Sequence, residues 1–188
     1  MKVVSSYGVK IKKQNIPICH TLHIYRQAVG YLIRVYEESW EELSRIVNLQ
    51  KRFNAAEHLV HGTKKNRARY NFDQKFPKMP SYLRRSAIQH ALGSVSSYET
   101  RLELWKQKKL AGKPKLVYEN HAMPVFYRDV MYKEAENHED MAFLKLYDGH
   151  DWKWFSVNLL HTDMEYLRKN WSGVKSSAPT LEKRHHKY

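Results

Sequence analysis

From Ser81 to Trp105 apolar residues return every three or four positions: Leu83, Ala87, Ala91, Val95, Tyr98, Leu102 and Trp105. At about 100° per residue they fall on one stripe of a single long helix. Pro77 and Pro80 stop whatever precedes it, and Ser81 is placed to cap it by accepting from an orphan backbone N–H. Arg85, Gln89, Ser96 and Gln107 fall roughly opposite the stripe. His20–Val47 keeps the same rhythm through Leu22, Tyr25, Val29, Leu32, Tyr36, Trp40, Leu43 and Val47. No proline interrupts it, and Gly30 lowers its stability slightly. Two long amphipathic helices of this kind are expected to pack on each other. A shorter helix, Leu49–His61, turns Phe53, Ala56 and Val60 inward.

Elsewhere the period changes to two. Val3–Lys13 alternates Tyr7, Val9 and Ile11 with Gly8, Lys10 and Lys12, which predicts a strand with a basic outer face. Leu116–Lys133 reads as extended and aromatic, broken at Pro124, and Glu134–Asp140 as an acidic loop. Ala142–Leu159 is the clearest hairpin, with Asp148-Gly149 between two apolar, aromatic-rich runs. Thr162 and Glu165 have capping-box spacing and open a short helix to Trp171. Pro179–Lys183 reads as the start of a strand and Arg184–Lys187 as its turn, with no return strand after it. A fold that stops before its last strand and a disordered basic tail both fit that ending. The fold class is therefore α+β.

Charge changes the picture of the helices. Of the chain's formal net charge of +14, His61–Lys115 holds +11, from 14 Lys and Arg against Asp73, Glu99 and Glu103. Charge that served only solubility would be dispersed. An excess kept in one segment points to a polyanion, nucleic acid first and an acidic membrane surface second. Aromatics make up 13% of the residues, and basic plus aromatic composition suits phosphate neutralisation and base stacking. Gly62–Met79 has no period and reads as a basic-aromatic loop, with Lys64, Lys65, Arg67 and Arg69 around Tyr70. On the long helix the Arg/Gln front suits a groove, because Arg reads guanine or phosphate and Gln reads adenine. The plainer reading is a solvated polar face.

Other chemistry is thinly represented. Cys19 is the only cysteine, which excludes an intramolecular disulfide and a zinc finger. No stretch has the length of a membrane span and no N-terminal run resembles a signal peptide, so a cytoplasmic protein without membrane contact is expected. His20/His23 and His185/His186 lack the spacing and companions of a metal site. No H-E-x-x-H, Walker loop, G-x-S-x-G or dinucleotide-binding glycine pattern occurs, and glycine is scarce at seven residues. No cofactor and no catalytic residue is expected on this chain.

The order of these pieces resembles the N-terminal half of TnpB, the transposon-encoded RNA-guided nuclease family related to the type V CRISPR effectors. The residues that carry the likeness are Tyr7-x-Val9-Lys10-Ile11-Lys12, Ile24-Tyr25-Arg26-x-Ala28-Val29 and Phe76-Pro77 with Pro80-Ser81-Tyr82-Leu83-Arg84-Arg85. Val95-Ser96-Ser97-Tyr98 and Ala178-Pro179-Thr180-Leu181 complete the match. The resemblance implies a discontinuous oligonucleotide-wedge β-barrel with an inserted helical recognition lobe, truncated at its last strand. Residues 1–18 would be the first wedge strand, 19–112 the lobe and 113–188 the remaining, incomplete barrel. It implies binding to guide RNA and to a target-adjacent DNA motif, with Arg85 and Gln89 reading that motif. Ser86 stands where some relatives carry an aromatic residue.

Lys64, Lys65, Arg67, Arg69, Arg84, Lys108, Lys109, Lys113 and Lys115 are expected on nucleic-acid backbone. The family's RuvC-like nuclease domain, with its acidic metal ligands, would lie after Tyr188. The chain is thus expected to bind without catalysis. Its rivals are one half of a split endonuclease paired with a separately encoded nuclease half, and a non-functional transposon remnant.

Overall fold

A computed structural model describes residues 5–12, 14–63, 67–136, 138–171 and 177–183. The chain forms two compact units, one from Met1–Thr21 with Val125–Tyr188 and one from Leu22–Pro124. The first holds the strands and the second is helical.

The helical unit begins within α1, Ile18–Glu38, and continues with α2, Trp40–Ser44, α3, Leu49–Val60, α4, Phe72–Lys75, and α5, Ser81–Lys106. The helix expected over His20–Val47 is therefore broken at Ser39. Ser39 is buried, its ψ opens to 9°, and its hydroxyl pairs with the Tyr70 hydroxyl at 3.3 Å. The rhythm also ends early, because Val47, read as inward, is exposed. Tyr25, Val29, Leu32, Tyr36 and Leu43 of the expected stripe are buried. On α5 the stripe holds through Leu83, Ala87, Ala91 and Val95, joined by Ile88 and Ser86. The Tyr25 hydroxyl hydrogen-bonds with Ser86 Oγ at 2.9 Å and His90 Nδ1 at 2.8 Å, which ties α1 to α5. Burial lowers the His90 pKa, so its ring stays neutral there.

Tyr118–Ala122 lies against α1. Asn120 Nδ2 donates to Arg26 O at 3.2 Å and to Tyr118 O at 3.1 Å, and its Oδ1 accepts from Ala122 N at 3.0 Å. The Tyr118 hydroxyl donates to Glu37 at 2.6 Å, and that bond raises its pKa. The approach is close at Gly30, where a Cβ would stand 2.6 Å from the Tyr118 carbonyl oxygen.

The other unit carries an antiparallel sheet of β1, Tyr132–Glu134, β2, Met141–Tyr147, and β3, Trp152–Asn158, in the order β1-β2-β3. Ala142 pairs with Val157 and Leu144 with Phe155. Ala142, Leu144, Leu146 and Val157 are buried, as are Ile18, Phe126, Met131 and Leu181 in the same unit. The hairpin predicted around Asp148-Gly149 forms, with a four-residue connection in which Asp148 Oδ1 accepts from His150 N at 2.9 Å and Asp151 N at 2.8 Å. Gly149 takes φ +106°, a conformation that suits glycine. α6, His161–Trp171, buries Asp163, which accepts from Lys10 N at 2.9 Å and from the Tyr7 hydroxyl at 3.3 Å.

The α+β class holds, but in place of the expected wedge β-barrel, truncated at its last strand, the described residues form this open three-stranded sheet. Val3–Lys13 does not form a strand in its described part. Ile11 makes one antiparallel bridge to Leu159, while Val3, Val4 and Lys13 lie outside the described residues. Likewise Val125 meets Thr180 in a single bridge, with Phe126 N donating to Pro179 O at 2.8 Å. Pro124 and Pro179 each precede a bridge residue and carry no N–H, so the ladder cannot extend past them. The turn expected at Arg184–Lys187 lies outside the described residues.

Candidate functional site

α5 is the element that presents the expected reading face. Pro80, not Ser81, is its N-cap, so the helix opens without a side-chain cap. Arg84 and Arg85 are consecutive and stand about 100° apart around the helix, and their fates differ accordingly. The Arg84 side chain is only 12% exposed. Its guanidinium faces Glu57 at 3.7 Å and Asp73 at 3.8 Å, and its Nε is buried with no hydrogen-bond partner among the described residues. It is thus drawn inward by carboxylates, and the expectation of a phosphate contact at Arg84 gives way to a role in joining α3, α4 and α5. Asp73 is shared further, with His61 Nδ1 at 2.7 Å.

Arg85 is 49% exposed. Its Nε lies 3.8 Å from Glu57 Oε2, too far for a hydrogen bond, and its guanidinium sits 5.1 Å from the centre of the Phe53 ring. That stacked, loosely paired guanidinium keeps donors for a ligand. Gln89, one turn further on, is exposed and on the same side. Ser86, between them in sequence, is buried against Tyr25. Beside Arg85 opens a cleft of about 420 Å³ lined by Glu57, His58, His61, Tyr82 and both arginines. Glu57 and Asp73 offset its two guanidiniums, so the walls themselves are not strongly cationic.

The cations gather at the other end of α5. Between Glu103 and Glu119 the chain has five lysines and no acidic residue, and Lys106, Lys108, Lys109, Lys113 and Lys115 are all exposed. Lys108 ends the helix in the left-handed region at φ 57°. Its N–H donates to Trp105 O at 2.9 Å and the next, of Lys109, to Leu104 O at 2.9 Å, the two bonds of a Schellman cap. Lysines there also complement the negative end of the helix dipole. Lys113 Nζ lies 5.6 Å from the Trp105 ring centre. In the basic-aromatic loop Arg67 is exposed, Arg69 pairs with Glu42 at 3.0 Å, and Lys64 and Lys65 lie outside the described residues.

Among the described residues no group of three or more His, Cys, Asp or Glu is placed to hold a metal ion. No helix among them is long and apolar enough to cross a membrane. Motifs and charge did not point to one feature, the outer face of the sheet, where Phe143 and Trp154 are partly exposed. Its signal was the alternation Ala142, Leu144, Leu146 inward against Phe143 and Lys145 outward.

Residues 5–148 match the profile of the Aq_aa04 family, most of the chain's length, and the chain belongs to that family. No curated protein and no solved structure matches it.

Proposed function

We propose that this Aq_aa04-family chain is a nucleic-acid-binding module that lays α5 along a groove. Arg85 and Gln89 meet base edges, and Lys108, Lys109, Lys113 and Lys115 meet phosphates. The observation that carries the reading is the run of exposed lysines that follows Glu103, continuous with a helix whose back is packed and whose front carries a half-exposed, loosely paired Arg85 and an exposed Gln89. Such an arrangement separates positioning contacts from reading contacts, as DNA-binding helices do. Arg67 extends the basic surface, while Arg69 contributes only if it leaves Glu42.

A narrower form of the proposal follows the resemblance to TnpB. There the partner pair is a guide RNA and a target-adjacent DNA motif, and cleavage belongs to a separate nuclease part. The open sheet removes the barrel from that picture, so support for the narrower form rests on the sequence motifs alone.

The test is a binding titration of full-length protein on a randomised duplex library and on fixed duplexes across a salt series. Arg85→Ala with Gln89→Ala is expected to cut discrimination between sequences by about 1–3 kcal/mol per lost base contact. Lys108→Gln with Lys109→Gln is expected to weaken binding to all sequences alike and to reduce the salt slope by about 0.9 per lysine. If both double variants lose affinity equally on every sequence, α5 reads no bases.

A further inference from the structure

Two rows of the sheet's outer face carry rings and lysines and no carboxylate. Lys133, Phe143 and Ser156 stand side by side across β1, β2 and β3, and Lys145 pairs with Trp154 in the next row. Paired residues share a face and neighbours in sequence take the other. Since Ala142, Leu144 and Val157 are buried, these two rows look outward. Phe143 is 37% and Trp154 39% exposed. As diagonal neighbours their Cα atoms lie about 7–8 Å apart. Lys133 Nζ stands 4.9 Å from the centre of the Trp154 ring.

The geometry points to a platform for single-stranded nucleic acid, on which two unpaired bases stack against Phe143 and Trp154 while Lys133 and Lys145 meet the adjoining phosphates. Every base has a π-face, so such a platform binds with little sequence preference. Lysines set among the rings oppose an apolar partner, because each ammonium would lose its water without gaining a counter-charge. Toward a polyanion the same lysines are favourable, and the chain as a whole carries +14. A base entering over Trp154 displaces the Lys133 ammonium, and the phosphate beside that base receives it. The site belongs to the sheet unit and concerns unpaired strands, so it and the duplex reading of α5 can each fail alone.

The experiment titrates full-length protein with labelled oligomers of about 12 nucleotides, one of thymidine deoxynucleotides and one of uridine nucleotides, following anisotropy and tryptophan emission. Phe143→Ala and Trp154→Ala are each expected to weaken binding about tenfold. Trp154→Phe keeps the stacking surface, so it should retain affinity and lose most of the emission change. Lys133→Gln should lower the salt slope by about 0.7. Arg85→Ala with Gln89→Ala should leave these affinities unchanged, which separates failure here from failure of the α5 reading. Binding of either oligomer through this face supports the proposal, and the tighter of the two names the strand. The proposal is overturned if Trp154→Ala binds both as wild type does. It is also overturned if the wild type sediments as a dimer that Trp154→Ala dissolves, which would give the face to a second copy. Should an alanine variant unfold, the emission loss in Trp154→Phe and the slope change in Lys133→Gln still decide it.

Discussion

Two glycine-to-alanine substitutions in helices of the same unit should change stability in opposite directions. Gly30 lies in α1 and Gly93 in α5. Intrinsic propensity favours alanine at both by about 1 kcal/mol. At Gly93 nothing lies within 4 Å of an added Cβ, so Gly93→Ala should realise that gain. At Gly30 the Cβ would stand 2.6 Å from the Tyr118 carbonyl oxygen, and ordinary contact begins near 3.4 Å. The Tyr118 segment would have to withdraw by about 0.8 Å. Its bonds from Asn120 to Arg26 O and from Arg26 Nε to Ala122 O, at 3.2 and 3.3 Å, have no such slack. Losing both costs about 1–3 kcal/mol, and forcing a methyl into a packed site costs a similar amount. After the propensity gain is subtracted, Gly30→Ala should destabilise by about 3 kcal/mol. Urea unfolding followed by circular dichroism reads both as shifts in midpoint at unchanged slope. A Gly30→Ala protein as stable as wild type would refute the close approach, and a destabilised Gly93→Ala protein would refute the open face of α5.

Lys108 adopts a left-handed conformation that costs a side-chain-bearing residue about 1–2 kcal/mol. Lys108→Gly should therefore stabilise the helical unit by about 1 kcal/mol, read by the same urea titration, while weakening nucleic-acid binding, a split that simple loss of charge on an indifferent loop would not produce. In the sheet unit Asp148 is held well below the usual carboxylate range, first by the Lys153 ammonium at 2.6 Å and then by the backbone N–H groups of Asp151 and His150. A depressed folded pKa contributes stability above the unfolded value of about 4 and loses it as pH falls through the folded value. Asp148→Asn should thus lower the melting temperature at about pH 7 and flatten its decline in acid, and parallel melting curves against pH for the two proteins would remove the turn's electrostatic role.

Periodicity made the helical unit legible. The stripe of α5 and the buried half of α1 follow from spacing, because each repeats over many residues, and the hairpin from the Asp148-Gly149 turn between two apolar runs. What spacing could not show is where a partner waits. Spacing put Arg85 opposite the stripe, but it could not show that Arg84, about 100° round the helix, faces Glu57 and Asp73, which come from α3 and α4. The break at Ser39 has no proline or glycine to mark it, and the hydroxyl that Ser39 meets belongs to Tyr70, 31 residues away. Gly30 reads as a weak point in a helix, and only the chain crossing at Tyr118 makes it a requirement. The barrel that the resemblance implied does not form among the described residues, where Val125 meets Thr180 in a single bridge flanked by Pro124 and Pro179, which lack the donors to extend it.

The division of the chain also fixes the order in which the protein can be made. The segment before Leu22 and the segment after Pro124 complete one unit, and about a hundred residues of the other lie between them. On the ribosome Ile11 waits for Leu159 through the whole synthesis of the helical unit. If that unit were a loose loop, joining the two ends would cost on the order of 4 kcal/mol in chain entropy. Once α1 to α5 have folded, most of that cost has already been met. A lesion in the helical core therefore reaches the pairing of Ile11 with Leu159 without touching it, by returning a folded insert to an open loop.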